Sequence, residues 1–388
     1  MAVAALAFAA VGCTSTDDGA DDASSATTSE AVASSPAADL RMNELQVIGT
    51  HNSYHQRPDP TFAAALEEII PGVGINWAYG QEPIPTQMAD QGIRQLELDV
   101  WADPDGGLYA ERKAQAFAGL PLVPHEELNE PGTKVLHIME VDPETTCLTF
   151  IACLEEVEEW SSGNPGHVPV LVLVEAKADA IPDPLDLGFV TPLDWEAERL
   201  DTLDEEIRSV FDDDQLITPD LVRGDAPTLE AAVLDGGWPT LGETRGRVMF
   251  ALDNGGEVME AYQAGHPSLE GRVMFTGGDP AGTPEAAFMK LNDPFDESIP
   301  VSVEAGYLVR TRADTGPVLG DTDRPTMRDT ALASGAQFVS TDYPVPDPLI
   351  DPEFSVGLPG GVVARCNPLI TPDWCSDTDI EDPALLGG

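Results

Sequence analysis

An α/β fold closed as a parallel (β/α)8 barrel, the TIM barrel, is what this sequence predicts, on three observations. Eight short apolar segments, separated mostly by helix-like stretches, occur between residues 45 and 340; alternating strands and helices of that number suit a closed parallel sheet. Residues 168–174 are Val and Leu apart from Pro169, the composition of a strand buried on both faces. Polar, chemically equipped residues follow directly on apolar strands, as His51 and Asn52 do after residues 45–48, and a parallel barrel keeps its site at the C-terminal ends of its strands.

Taken in order, residues 45–48 form the first strand, and Gly49 behind it lets another backbone come close. Residues 61–70 read as a helix and residues 85–91 as a shorter helical turn. Residues 95–101, Gln-Leu-Glu-Leu-Asp-Val-Trp, alternate strictly, so Leu96, Leu98 and Val100 share one face while Glu97 and Asp99 share the other. Residues 135–139 are expected as a third strand carrying His137. Residues 147–161 have Leu148, Ile151, Leu154, Val157 and Trp160 at helical spacing. The fourth strand, residues 168–174, runs into Glu175, Ala176 and Lys177. Helices are expected over 194–211 and 228–234. Strands at 247–252 and 272–275, with a helix at 257–264 between them, are the fifth and sixth. Strands at 307–311 and 337–340 flank a helix at 326–334 and complete the set. No clear helix signal separates the sixth and seventh strands.

The chain of 388 residues, 42% hydrophobic and 23% charged, can bury a large core. Its charge is lopsided: 69 Asp and Glu face 19 Lys and Arg, a formal −50. Nucleic acid is excluded as a partner, because binding it requires a basic footprint. Residues 1–13 hold an apolar run too short to span a bilayer but suited to a secretion signal. Ala10-Val11-Gly12-Cys13 resembles a lipoprotein cleavage box, with Cys13 the lipidated residue, although no Lys or Arg precedes Arg41. Residues 14–39 are Ser, Thr, Ala and Asp with little to bury, a tether between anchor and domain. The barrel is expected over 40–345 and an irregular extension rich in Pro, Gly and Asp over 346–388. Setting Cys13 aside, Cys147, Cys153, Cys366 and Cys375 form two sequence-local pairs, and disulfides Cys147–Cys153 and Cys366–Cys375 are the simplest pairing in an oxidising compartment. The protein is thus expected outside the cytoplasm, tethered to a membrane by lipid, and monomeric.

If the barrel holds, His51, Asn52, Glu97, Asp99, His137, Glu175 and Lys177 collect at one mouth. Three carboxylates and an amide oxygen suit a hard cation, Ca²⁺ first and Mg²⁺ second. Two imidazoles beside it suit acid–base work. Arg310 and Arg312 share a strand face and are candidates for a phosphate contact. Simpler readings exist for each: a core histidine for His137, an internal salt bridge for Glu175 and Lys177, a surface ion pair for the arginines. His55, His125, His167 and His266 lie in loop-like sequence and are read as structural.

The His-Asn pair in Gly49-Thr50-His51-Asn52-Ser53-Tyr54, the Glu-x-Asp of residues 96–100, Lys134-Val135-Leu136-His137 and Val174-Glu175-Ala176-Lys177 resemble the calcium-dependent phosphoinositide-specific phospholipase C family in its bacterial and fungal branch. The resemblance runs over residues 43–345. It implies Asn52, Glu97, Asp99 and Glu175 as Ca²⁺ ligands, His51 as the group that stabilises phosphoryl charge, and His137 as the acid for the departing diacylglycerol oxygen. It implies Glu97 as the base, and Lys177, Arg310 and Arg312 as phosphate contacts. Glycerophosphodiester-cleaving barrels of related type open with His-Arg, so Asn52 favours the phospholipase. Metal-free relatives place an arginine at the cation position, so the carboxylates favour a metal. The substrate class implied is a phospholipid, with a glycerophosphodiester as the alternative and a non-catalytic calcium- or lipid-binding lipoprotein as the third reading.

Overall fold

A computed structural model describes residues 36–69, 72–122, 124–183, 185–315 and 323–381. The signal expected over 1–13, Cys13 and nearly all of the 14–39 tether lie outside the described residues. Eight parallel strands make the barrel: β1 Leu45–Thr50, β2 Gln95–Trp101, β3 Val170–Lys177, β4 Val248–Leu252, β5 Met274–Thr276, β6 Phe288–Lys290, β7 Leu308–Arg312 and β8 Phe338–Thr341. Parallel pairing joins each to the next and β8 back to β1, except between β5 and β6. There the Lys290 N–H donates to the Gly277 carbonyl at 2.9 Å, so one backbone bond spans the remaining junction.

β3 is flanked by β2 and β4, and Val170 to Val174 are all fully buried. Each such side chain contributes roughly 1.5–3 kcal/mol by leaving water, which explains why this strand is continuous Val and Leu. The helices cover the outside with one apolar stripe each. Phe150–Gly163 buries Phe150, Cys153, Leu154, Val157 and Trp160, and its N-terminus is capped by Thr149, whose hydroxyl accepts from the Ala152 N–H at 3.1 Å. Ala197–Val210 buries Leu200, Leu203 and Ile207. Among the described residues no helix is long and apolar enough to cross a membrane.

Two strand expectations need correction. Residues 135–139 are not a barrel strand: only Lys134–Val135 is extended, and it pairs antiparallel with the end of β2. β2 instead pairs directly with Val170–Lys177, and His137 sits on the loop beyond. The missing eighth strand is Phe288–Lys290, which lies in the interval where no clear helix was signalled and is followed by the helix Ser298–Ala305. The expected strand and helix intervals elsewhere hold to within a few residues.

Both disulfides form, Cys147–Cys153 and Cys366–Cys375. The C-terminal stretch is irregular but firmly docked. Ala364–Cys366 adds an antiparallel strand to the outer part of β1. Farther on, Glu381 makes a two-pronged ion pair with Arg94, both side chains 1% exposed, and its Oε2 also accepts from the Val168 N–H at 2.9 Å.

Candidate active site

The strict alternation of β2 turns Gln95, Glu97, Asp99 and Trp101 into the barrel and its leucines toward the helices. In the β2–β3 register Asp99 stands beside Glu175 and Trp101 beside Lys177. Neighbouring strands are about 4.8 Å apart, so Glu97, Asp99 and Glu175 converge: one carboxylate oxygen from each lies within 4.8 Å of the others. Glu97 and Asp99 are buried and Glu175 half-buried.

Acids crowded in this way repel one another, and cations around them offset the repulsion. The Arg310 guanidinium meets Glu97 Oε2 and also donates to Asn292 and Ser340. The Lys177 ammonium lies 3.1 Å from Glu175 Oε1 and 3.4 Å from Asp99 Oδ2. Lys290 pairs with Asp253, a buried acid at the end of β4. Burial would raise the Glu97 pKa, but Arg310 and then His51 outweigh it and hold that carboxyl below its usual range. Asp99 goes the other way: burial and the charge of Glu175 push it well up, against Lys177. Burial and the charge of Glu97 likewise bring Asp253 to about 6.

Asp99 Oδ1 is buried without a hydrogen-bond partner, an arrangement that costs about 1–3 kcal/mol unless something meets the oxygen. An orphaned carboxylate oxygen, two further carboxylates and no sulfur or imidazole among them is a donor set for a hard, oxygen-seeking cation. Asn52, in the turn after β1, has a left-handed backbone with φ 46°. Its amide Nδ2 donates to the Tyr79 hydroxyl at 2.8 Å, which leaves the carbonyl oxygen as the ligand end of the side chain. The residues present fit a calcium ion.

The turn after β1 carries His51. Gly49 before it is required by a side chain rather than by a backbone: a Cβ there would lie 2.0 Å from Gln95 Oε1. His51 Nδ1 lies 2.7 Å from Asp342 Oδ1, just beyond β8, and Nε2 lies 3.7 Å from Glu97 Oε1. With Nδ1 the donor to Asp342, Nε2 is the free ring nitrogen. Arg312 holds the other oxygen of Asp342 at 2.9 Å. Burial opposes the Asp342 charge, but Arg312 and His51 override it and hold this carboxyl far below its ordinary range.

His137 is arranged in parallel. Its Nδ1 lies 2.7 Å from Asp142 Oδ2, and the same oxygen lies 2.8 Å from Nε2 of the fully buried His55. Burial lowers the His137 pKa, with Asp142 acting against it. Trp77 stands edge-on to the His137 ring, 5.3 Å between centroids. His51 and His137 open onto one cleft of about 260 Å³, lined also by Trp77, Tyr79, Arg312 and Asp342. Two carboxylate-held imidazoles thus face a common space beside the acidic cluster, an arrangement equipped for proton transfer to and from a bound substrate.

A family model described as phosphoinositide phospholipase C, Ca²⁺-dependent, matches residues 40–368. The chain belongs to the calcium-dependent phosphoinositide phospholipase C family. The family's enzymes are phosphoric diester hydrolases, as this chain is by membership. No curated protein sequence matches the chain. Among solved structures, the apo calcium-dependent phosphoinositol-specific phospholipase C of a Gram-negative Pseudomonas species aligns with a TM-score of 0.51 at 17% identity, covering 85% of this chain and 97% of that one. The myoinositol complex of the Pseudomonas protein aligns with a TM-score of 0.50 at 17% identity, covering 85% and 96%. These likenesses establish the barrel fold shared with calcium-dependent phospholipases C.

In this phospholipase C family member, the barrel brings His51, Glu97, Asp99, His137, Glu175, Lys177 and Arg312 to one mouth, with Asn52 on the adjoining turn. Of these, His51, His137 and Arg312 line the cleft, while Glu97, Asp99, Glu175 and Lys177 lie beside it; Arg310, at 1% exposure, is turned inward onto Glu97. Lys177 makes the internal salt bridge weighed from sequence, though to Asp99 as well as Glu175. Sequence reasoning missed Asp342, Asp142, Tyr79, Asp253 and Lys290. The Ser-Thr-Asp ending of β8 was the one usable signal, because a polar residue directly after an apolar barrel strand points into the mouth. Asp142 follows no recognisable strand and carried no signal. His55, read as structural, does lie fully buried, but against the carboxylate that holds His137.

Proposed function

We propose that this chain cleaves the phosphodiester of phosphatidylinositol in the manner of a phospholipase C, with Ca²⁺ held by Asn52, Glu97, Asp99 and Glu175, giving diacylglycerol and a cyclic or open inositol phosphate. The observation that carries this reading is the pair of carboxylate-held imidazoles on one cleft beside three converging acids. Bound there, the ion would supply positive charge to a phosphate oxygen and make the phosphorus easier to attack.

The chain's own groups do the rest. Glu97 is a weak base, because Arg310 keeps its pKa down. The proton of the attacking inositol hydroxyl is therefore assigned to His51 Nε2, whose ring Asp342 orients and whose imidazolium Asp342 then stabilises. As the new O–P bond forms, the imidazolium faces the growing phosphoryl charge, the role first given to His51 from sequence. His137 donates its proton to the diacylglycerol oxygen as the old P–O bond breaks; burial makes its protonated ring a stronger acid. Arg312 and Lys177 supply charge for the phosphate, and Trp77 offers a flat apolar face at the rim.

The sequence of the tether and Cys13 supports lipid anchoring outside the cytoplasm, which would hold a chain of net charge −50 near membranes that otherwise repel it. A soluble glycerophosphoinositol is the second substrate, favoured by that same charge. Incubating the protein with calcium and either phosphatidylinositol vesicles or glycerophosphoinositol separates the two. Faster cleavage of the acylated substrate is expected. Turnover of the deacylated compound alone would make the chain a glycerophosphodiesterase, and turnover of neither would leave only a binding lipoprotein.

A further inference from the structure

The ammonium of Lys177 lies against two of the carboxylates that the calcium reading assigns to the ion. Its Nζ is 3.1 Å from Glu175 Oε1 and 3.4 Å from Asp99 Oδ2. The oxygen left unpartnered for an ion is the other one of Asp99, Oδ1, so the ammonium and a divalent ion would share the same carboxylates a few ångströms apart, and like charges at that spacing repel strongly in a partly buried site. The neighbouring cation is not free to yield. Arg310 is 1% exposed and is fixed by Asn292 and Ser340 as well as Glu97.

Lys177 is built differently. Its backbone is fixed: residue 177 pairs with Trp101 in the β2–β3 ladder, and its carbonyl accepts from the Trp195 indole N–H at 2.9 Å. The side chain beyond it is a flexible four-carbon stem that keeps 18% exposure, so the ammonium can leave the acids without disturbing the strand. Its charge also reaches His137, which lines the cleft.

We propose that Lys177 is an internal counter-ion that competes with Ca²⁺ for Asp99 and Glu175 and, once displaced, turns to the phosphate of the substrate. The side chain then lowers the affinity for free calcium while raising the affinity for substrate in the loaded protein. Metal binding and phosphate recognition become linked through one residue. The inference rests on the calcium reading of the acid cluster.

Calcium titrated calorimetrically into the purified chain and into K177M and K177R provides the test. K177M is expected to bind Ca²⁺ at least tenfold more tightly, yet to show a several-fold higher KM for phosphatidylinositol vesicles at saturating calcium. K177R, which keeps the charge, stays within a few-fold of the parent in calcium affinity. A lysine that merely braces the fold would weaken both when removed. A second measurement uses the unaltered chain, whose lysines number only four: the rate of reductive methylation at Lys177, read by peptide mass spectrometry, should rise when calcium is added. Calcium binding of equal or lower affinity in K177M, or a methylation rate indifferent to calcium, overturns the proposal alone. No calcium binding by either protein overturns the calcium reading with it.

Discussion

Asp342 Oδ1 and His51 Nδ1 lie 2.7 Å apart, joining the turn after the first barrel strand to the residue just past the last. The closure of the barrel makes this contact, since β1 and β8 pair from Val47↔Phe338 to Thr50↔Thr341. The carboxylate fixes the ring's tautomer and leaves Nε2 facing the cleft. Replacing Asp342 by Asn keeps the volume but removes the charge that favours this tautomer. A fall in kcat of about 10²–10⁴ is expected, with KM changed little, by analogy with other carboxylate-held histidines. Steady-state kinetics of D342N on phosphatidylinositol checks it.

Asp142 serves two imidazoles with one oxygen, at 2.7 Å from His137 and 2.8 Å from His55. D142A leaves two buried ring N–H groups without an acceptor. A loss of about 3 kcal/mol of stability is expected, accompanied by a large drop in kcat as His137 loses its orientation. Denaturant unfolding and kinetics on the same preparation measure both.

His167, far from the cleft, should govern part of the acid sensitivity of the fold. It is fully buried, its Nδ1 donates to the Val168 carbonyl at 2.6 Å and its Nε2 lies 2.7 Å from the Ser161 hydroxyl. Burial brings its pKa down to about 4, against about 6.5 in an unfolded chain. Between those values the unfolded chain binds the extra proton, so stability is full above pH 6.5 and falls as pH drops toward 4. The loss approaches 3 kcal/mol, about 1.4 kcal/mol per pKa unit. Denaturant midpoints of the parent and H167Q from pH 4 to 7 check this; the variant should lose that part of the slope.

The docked C-terminus carries a further expectation. Glu381 neutralises Arg94 where both are 1% exposed. E381A leaves a buried guanidinium without its counter-ion, which costs about 3–5 kcal/mol. A fall in thermal midpoint, with the cleft residues unaltered, is the expected outcome.

Much of this was readable from residues 45–177. The alternation from Gln95 to Trp101 revealed a two-acid face, and the Val-Leu run of β3 marked a strand buried on both faces, because in each a single force, burial on a known face, acts on consecutive residues. Where the force was tertiary the sequence was silent. Phe288–Lys290 is three residues long, too short for a period to show. Val135 and His137 alternate with neighbours as a strand would, yet β2 takes Val170–Lys177 as its parallel partner, so the loop carries His137 instead. Asp142 and Glu381 are single acids in a chain crowded with acids, and only the folded structure shows that they are buried. Arg310 and Arg312 look equivalent in sequence; the first faces the Glu97 side of the barrel and the second the cleft.

Phosphorus NMR of the products formed from a phosphatidylinositol suspension, with calcium and then with excess chelator, is the most direct measurement of the whole assignment. An inositol phosphate signal that appears with calcium and vanishes with chelator is the expected result. Undiminished cleavage in excess chelator would contradict the role given to Glu97, Asp99 and Glu175.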